Sequence, residues 1–482
     1  MIDLKNVSYT YPHTAQTALR QFSFSLKRGS CTLVTGPSGA GKSTLCLAAA
    51  GILHHEYGGK KEGQVLIDGR DVAEFSGLSE LAEKIGIVFD DAEAQMIFTT
   101  VEEEVLSSLE HRGLGAAAIE DRLSAVLEMT RLADLKDRSP HHLSGGQKQR
   151  VALAATLALG NDVLVLDEPT SELDEHGTRR IADILRSLRN EGKTILLVEH
   201  KFAQFADMVD TLVVMENGAI SASGSPDDVL RNDRVHRIVI PDFSGIRSGP
   251  GTAGGHGTPS ADPVIRVENL TYSYGDVPAL CGISLTIATG EFVALVGENG
   301  SGKTTLVKHF NRLLVPASGN VFVQGINTRN STTSDLARRV GLVFQNPDHM
   351  FFCDTVREEV GFGLRNAGIE DSEENITAAL EEAGLAHTAD LYPRWLSRGE
   401  RQRLAIACVV AMRPPVMVLD EPTTGLDGNE ARQVMELLTR LTRAGHTIIV
   451  ITHSPVIARD CADRIITMER GCVISDVKNP GA

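Results

Sequence analysis

The 482-residue chain has no run of about 20 uncharged apolar residues, the length a helix needs to cross the hydrocarbon of a bilayer. It shows no basic and apolar leader of the export type, entering directly on strand-like Met1-Ile-Asp-Leu4. The expectation is a chain soluble by itself, dependent on other subunits for any work at a membrane. A basic surplus is also missing: 47 Lys and Arg stand against 63 Asp and Glu, a formal net charge of −16. That balance argues against sequence-independent nucleic-acid binding, which needs a basic face. The seven cysteines are odd in number and show no C-x-x-C spacing, which speaks against a disulfide framework or zinc ribbon and for reduced, mostly buried thiols. His54-His55 and His141-His142 have no matching carboxylate or cysteine spacing for a metal and stay unassigned.

What the chain does have is repetition. Gly36-Pro-Ser-Gly-Ala-Gly-Lys-Ser-Thr44 returns as Gly297-Glu-Asn-Gly-Ser-Gly-Lys-Thr-Thr305. Both fit G-x-x-x-x-G-K-[ST], in which glycines let backbone N–H groups curl around phosphates. The candidate nucleotide ligands are Gly36, Ser38, Gly39, Gly41, Lys42, Ser43 and Thr44, with Gly297, Asn299, Gly300, Gly302, Lys303, Thr304 and Thr305. Lys42 or Lys303 meets the β/γ oxygens, and Ser43 or Thr304 ligates Mg2+. The residues that follow each lysine read as a helix whose N-terminal dipole faces the phosphates.

Short apolar runs such as Thr32-Leu-Val-Thr35, Val163-Leu-Val-Leu166 and Ile195-Leu-Leu-Val198 read as buried parallel strands. With helical segments between them they imply doubly wound α/β halves, whose ligands gather beyond the carboxyl ends of the strands. The stretch 240–263, rich in Gly, Pro and Ser, reads as a flexible linker between domains at 1–239 and 264–482. Gly36 to Leu143 is roughly eight residues longer than Gly297 to Leu396, a surplus expected in a surface loop near Tyr57-Gly-Gly-Lys-Lys61.

Downstream of the first P-loop come Leu143-Ser-Gly-Gly-Gln147, Val163-Leu-Val-Leu-Asp-Glu-Pro169 and His200. The second is followed by Leu396-Ser-Arg-Gly-Glu400, Met417-Val-Leu-Asp-Glu-Pro422 and His453. Five elements thus occur in order twice: tyrosine, P-loop, signature, acidic strand end and histidine. Over essentially its whole length the chain resembles the ABC ATPases. The resemblance implies an α/β fold of two tandem P-loop nucleotide-binding domains. Each would have a mostly parallel sheet core, an antiparallel β subdomain and a helical subdomain.

It further implies ATP and Mg2+ as cofactors and an ATP hydrolase activity. Asp167 and Asp420 would hold the Mg2+ shell, and Glu168 and Glu421 would orient the attacking water. His200 and His453 would contact the γ-phosphate, and Tyr11 and Tyr274 would stack on adenine. Tyr9 and Tyr272 are expected to serve ordinary strand packing instead. Ser144, Gly145, Gly146 and Gln147, with Ser397 and Gly399, would bind the nucleotide held by the opposite domain, and Gln345 would reach the metal.

Three positions depart from that pattern, with Arg398 where the first copy has Gly145, Glu400 where it has Gln147, and Asp90 where the second has Gln345. By the family's arrangement all three belong to the site of the first P-loop. An unequal pair of sites is therefore expected. A carboxylate about 5 Å from phosphate charge costs around 3 kcal/mol at an effective dielectric of 20.

Among tandem members, the chain is similar to the ATPases of energy-coupling factor importers in Gln345-Asn-Pro-Asp348, Thr355-Val-Arg-Glu-Glu-Val-Gly-Phe-Gly363, Thr100-Val-Glu-Glu-Glu-Val105 and Val198-Glu-His200. That resemblance implies a peripheral protein on the cytoplasmic face of the membrane. It would work with a membrane scaffold subunit and a substrate-binding membrane subunit, without nucleic acid, in the uptake of a vitamin, a vitamin precursor or a transition-metal ion. Glu102-Glu103-Glu104 and Glu358-Glu359 would receive arginine-bearing coupling helices of the scaffold, or would serve as ordinary helix N-terminal charge. Two alternatives remain open: a sugar-type tandem importer ATPase, and a soluble ABC protein that remodels ribosome or DNA complexes.

Overall fold

The structure is a computed structural model that describes residues 1–12, 14, 16–110, 115–171, 173–240, 242–246 and 263–479. It divides into two compact units, Met1–Pro241 and Asp242–Ala482. In each, apolar alternation on both faces of one sheet forces a layer onto either side.

In the first unit a six-stranded sheet runs in the order Ala219–Gly224, Thr211–Glu216, Cys31–Thr35, Thr194–Val198, Val163–Asp167, Ile85–Val88. Every neighbouring pair is parallel except the edge pair at 211–224. Leu164, Leu166, Ile195 and Leu197 point into a core shared with the helices. Val163, Val165, Leu196 and Val198 point the other way, into a core shared with the P-loop helix and a four-stranded antiparallel sheet. That second sheet runs Thr17–Leu26, Ile2–Thr10, Lys60–Ile67, Arg70–Asp71.

The second unit repeats the plan. Its parallel sheet runs Val340–Val343, Val416–Asp420, Thr447–Ile451, Phe292–Val296, Arg464–Glu469, ending in antiparallel Cys472–Lys478. Its antiparallel sheet runs Val277–Ala288, Pro263–Tyr274, Ser318–Val323, Ile326–Asn327.

Of the stretch expected as linker, residues 247–262 lie outside those described. Asp242–Ile246 belongs to the second unit. Phe243 and Ile246 are buried in its helical core, and Arg432 and Arg443 donate to the carbonyls of Asp242 and Ile246 at 2.6 and 3.3 Å. Two apolar side chains at the head of a polar stretch were enough to dock it. Part of the expected surface loop is strand: Lys60 and Lys61 pair with Thr10 and Tyr9, so only Tyr57–Gly59 is left as the connection. All seven cysteines are free thiols. Among the described residues no helix is long and apolar enough to cross a membrane.

Candidate functional site

Each P-loop joins the central strand of its sheet to a helix, Cys31–Thr35 to Lys42–Ala49 and Phe292–Val296 to Lys303–Lys308. Its glycines are required in two ways. A Cβ at Gly36 or Gly297 would overlap the carbonyl oxygen of Met215 or Met468, so close backbone approach excludes a side chain there. Gly39 and Gly300 face open space but hold φ of 74° and 80°, a conformation that only glycine adopts freely. Lys42 is buried and spans the loop, its ammonium donating to the carbonyls of Gly36 and Pro37 at 2.9 and 3.1 Å. Lys303 does the same toward Gly297 and Glu298, both at 2.8 Å. The result is a concave run of N–H groups at a helix N-terminus with a fixed cation, which fits a polyphosphate.

The acidic strand ends meet this loop. Thr304 donates its hydroxyl to Asp420 Oδ2 at 2.7 Å, and Ser43 hydrogen-bonds Asp167 in the same way. Asp167 Oδ1 is buried with no hydrogen-bond partner, an arrangement that costs free energy unless something charged completes it. The Asp167 carboxyl is pushed up to about 7, first by burial and then by the charges of Glu168 and Asp90, against the Ser43 hydrogen bond and Lys42. Asp420 is raised for the same first reason, burial, against the Thr304 hydrogen bond. An orphaned carboxylate oxygen beside a hydroxyl is the donor set of an Mg2+ site.

Glu168 and Glu421 both take left-handed backbone, with φ of 46° and 48°, although neither is glycine. Such strain costs of order 1–3 kcal/mol and is kept where surrounding structure imposes it. Here the N–H of each donates across to the next strand, to the carbonyls of Val198 and Ile451 at 3.0 Å. The turn delivers both carboxylates to histidines: His200 Nε2 lies 3.1 Å from Glu168 Oε1, and His453 Nδ1 lies 3.0 Å from Glu421 Oε1. Acid, histidine, metal-type carboxylate and P-loop thus gather at one end of each sheet.

Tyr11, just past its strand, bonds Thr44 through its hydroxyl at 3.2 Å and meets Tyr9 and Tyr57 edge-on. Tyr274 ends its strand exposed beside Tyr272. Tyr9 is buried in the core, but not on a face opposite to Tyr11: two positions apart, the pair shares one face, and the rings meet at 4.8 Å.

The signature serines cap helices. Ser144 begins Gly145–Ala158 and Ser397 begins Arg398–Ala411, each closing a reciprocal box with Gln147 or Glu400. Glu400 therefore spends one carboxylate oxygen on the Ser397 N–H, at 2.8 Å, where Gln147 offers its amide oxygen to Ser144 at 2.9 Å. At this position the departure is a replacement of like by like, because both residues suit a capping box. Arg398 lies over Gly425 of its own unit, where a Cβ would strike the guanidinium.

One pairing was not read in the sequence. Glu93, three residues after Asp90, pairs with Lys148 on the first signature helix at 2.8 Å. At the corresponding positions Asp348, three after the exposed Gln345, pairs with Arg401 at 2.9 Å. Aligning the two copies at Asp90/Gln345 and Ser144/Ser397 shows opposite charges at both pairs of positions, the one signal that pointed to it.

The five glutamates expected to receive a partner have partners inside their units. Glu104 accepts the N–H groups of Ile97 and Phe98 at 2.8 Å, and Glu359 those of Phe352 and Cys353 at 2.5 Å. Glu103 and Glu358 bond the turns at Thr99-Thr100 and Thr355, and Glu102 pairs with Lys136 at 3.5 Å. What these clamps display is apolar, with Ile97 80 % and Phe352 63 % exposed, and Trp395 in the second unit is 77 % exposed. Phe352 stacks edge-on with Phe362, and Tyr392 with Trp395.

The family model described as ABC transporter matches residues 19–171 and 280–424. A protein of Methanosarcina mazei, named as an ABC transporter ATP-binding protein, is 49 % identical over 99 % of this chain and 95 % of its own length. The Bacillus subtilis protein YkoD, named for HMP/thiamine import ATP binding, is 31 % identical over 97 % of this chain and 90 % of its own. The solved structure of an archaeal ribosome recycling factor, aABCE1, in complex with the stalk protein aP1, matches with a TM-score of 0.66 at 22 % identity, over 98 % of this chain and 90 % of that one, a likeness of fold. The duplicated P-loops, acidic strand ends and signature helices, together with these matches, place the chain in the ABC transporter family as a tandem ATP-binding protein and ATPase.

Proposed function

We propose that the chain is the energy subunit of an energy-coupling factor type importer, coupling ATP-driven closure of its two units to uptake of a vitamin, vitamin precursor or transition-metal ion. The observation that carries this is the duplicated, complete set of P-loop, acid and histidine. The likeness to an import ATP-binding protein, YkoD, supports it.

In this reading Lys42 and Lys303 neutralise β/γ-phosphate charge. Ser43 with Asp167, and Thr304 with Asp420, would hold Mg2+, and Gln345 and Asp90 would be further oxygen donors for it. Tyr11 and Tyr274 offer their rings to adenine. Glu168 and Glu421 orient the water, while His200 and His453 fix each carboxylate and reach the γ-phosphate. Ser144, Gly145, Gly146 and Gln147, with Ser397 and Gly399, would offer the N-termini of the signature helices to nucleotide phosphate. Bound ATP supplies the phosphoryl bond whose cleavage resets the cycle. Moving such an equilibrium from 1:99 to 99:1 takes about 5.5 kcal/mol, within reach of several charge-assisted contacts of about 1.5–3 kcal/mol each.

The exposed apolar side chains around Ile97-Phe98 in one unit and Phe352, Phe362 and Trp395 in the other suit a membrane scaffold subunit better than the clamped glutamates do. The test is to tag the chain in its native host, solubilise membranes in mild detergent and identify what co-purifies. Recovery of a scaffold membrane protein with a small substrate-binding membrane protein is expected, and its loss with Ile97→Asp and Phe352→Asp. Recovery of ribosomes or other soluble partners alone overturns the importer reading and leaves the ATPase standing.

A further inference from the structure

After each acidic glutamate the described residues make the same backbone hydrogen bonds in both units. Ser171 and Leu173 donate to the carbonyls of Glu168 and Thr170, both at 3.1 Å, and Thr424 and Leu426 donate to those of Glu421 and Thr423, both at 3.2 Å. What holds the turn differs.

In the first unit the buried carboxylate of Glu199 stands beneath it. Glu199 Oε1 accepts the N–H and hydroxyl of Thr170 at 3.0 and 2.5 Å, and Oε2 accepts the N–H of His200 at 3.1 Å. Lys201 closes the other side, donating to the carbonyls of Thr170 and Leu173 at 2.8 and 2.9 Å and to the Thr178 hydroxyl at 3.3 Å. Burial pushes the Glu199 carboxyl up, and the charge of Lys201 is the first of the effects that oppose it.

The second unit replaces all three members together. Thr452 stands at the position of Glu199, Ser454 at that of Lys201 and Ala431 at that of Thr178. There the Thr452 hydroxyl accepts the N–H of Ser454 at 3.0 Å, and Thr424 reaches Glu421 Oε2 at 3.5 Å.

We propose that Glu199, Lys201 and Thr178 form a buried clamp that presets the first unit's Glu168–His200 pair by pinning the turn after Glu168 to the turn that carries His200, a device the second unit lacks. They are positioning residues: none bonds a reacting atom, and Glu199 acts through the N–H groups on either side of the pair. Charge-assisted bonds to a buried carboxylate are about twice as strong as neutral ones, and a network whose members are all satisfied rigidifies its surroundings. The role rests on the assignment of Glu168 and His200 to hydrolysis.

The test converts the first unit to the second unit's residues, Glu199→Thr, Lys201→Ser and Thr178→Ala together, in the full chain. These residues already accompany the same turn in the second unit, which guards against simple misfolding. In a Glu421→Gln background, kcat for Mg-ATP should fall roughly tenfold or more with KM within about twofold, and Lys201→Arg alone should keep most of the rate. Amide exchange of residues 170–174 should be about tenfold slower than that of 423–427 in the parent chain, and the triple variant should bring them level. Equal protection of the two turns in the parent chain, or a rate change confined to KM, overturns the clamp. If Glu168→Gln with Glu421→Gln leaves hydrolysis intact, the ATPase assignment of these residues fails instead, and exchange still decides the clamp.

Discussion

The two units carry the same backbone around the nucleotide and different side chains behind it. Both P-loops place glycine against a methionine carbonyl, both acidic strands end in a left-handed glutamate, and both glutamates meet a histidine near 3 Å. Around that frame the first unit has Asp90 acting on Asp167 and the Glu199–Lys201 clamp, whereas the second has Arg398 over Gly425. Geometry that must wrap a phosphate tolerates little, since a single Cβ breaks it. The groups that set charge and hydrogen bonding one layer out differ between the units without disturbing it.

The comparison breaks or sharpens first on hydrolysis. Asp90 adds charge beside Asp167 in the first unit, where the second has the neutral Gln345, so Glu421→Gln is expected to reduce ATP hydrolysis by about 100-fold or more, within the range for losing a general base, and Glu168→Gln by markedly less. A steady-state ATPase assay decides it, and equal losses would show the sites to be equivalent.

Next come the clamps under the exposed apolar loops, where the units should agree. Glu104→Gln and Glu359→Gln each weaken two hydrogen bonds from part-buried N–H groups, at an expected cost of about 1–3 kcal/mol each. Denaturant unfolding of the full chain measures both, and a cost confined to one unit would mean that the loops are built differently.

The third prediction concerns pH without metal. A carboxyl whose folded value is about 7, above its ordinary value near 4, contributes stability that is complete below about pH 4 and is lost as pH rises through 7. In chelator the melting temperature of the first unit should therefore fall between about pH 4 and 7. Asp167→Asn should flatten that fall while abolishing metal-dependent hydrolysis, and Mg2+ with nucleotide should restore the lost stability in the parent chain. A melting profile that Asp167→Asn leaves unchanged would assign the pH dependence elsewhere.

The smallest effect belongs to the ion pairs Glu93–Lys148 and Asp348–Arg401. Both are partly exposed, where such pairs contribute about 0–1 kcal/mol. Reversing one charge should lower hydrolysis only a few-fold, and exchanging both charges should recover it. A double-mutant cycle in each unit measures the coupling, which should be similar in the two.

Much of the site was legible in the chain. P-loop, acidic strand end, signature and histidine are local strings, and each falls where the fold brings strand ends together. Capping was legible only in hindsight: Ser144 with Gln147 and Ser397 with Glu400 are spaced as capping boxes, yet Glu400 was read only as a repulsive charge. The acidic runs at 102–104 and 358–359 look like open patches because sequence does not show that a carboxylate turns back to its own loop. Phe243 and Ile246 were read as linker because two apolar residues carry no periodicity. The Glu93–Lys148 and Asp348–Arg401 pairs join residues 55 and 53 positions apart, beyond any local pattern.

By itself the sequence determined the duplication, the α/β plan and the phosphate chemistry, because glycine, lysine and acid at set spacings act through backbone geometry that is local. Only the tertiary structure decided which charges are spent inside. The left-handed turn at Glu168, the orphaned Asp167 oxygen and the carboxylate of Glu199 beneath Thr170 depend on strands that meet only in the folded sheet, where burial makes each unpaired charge expensive and each paired one rigid.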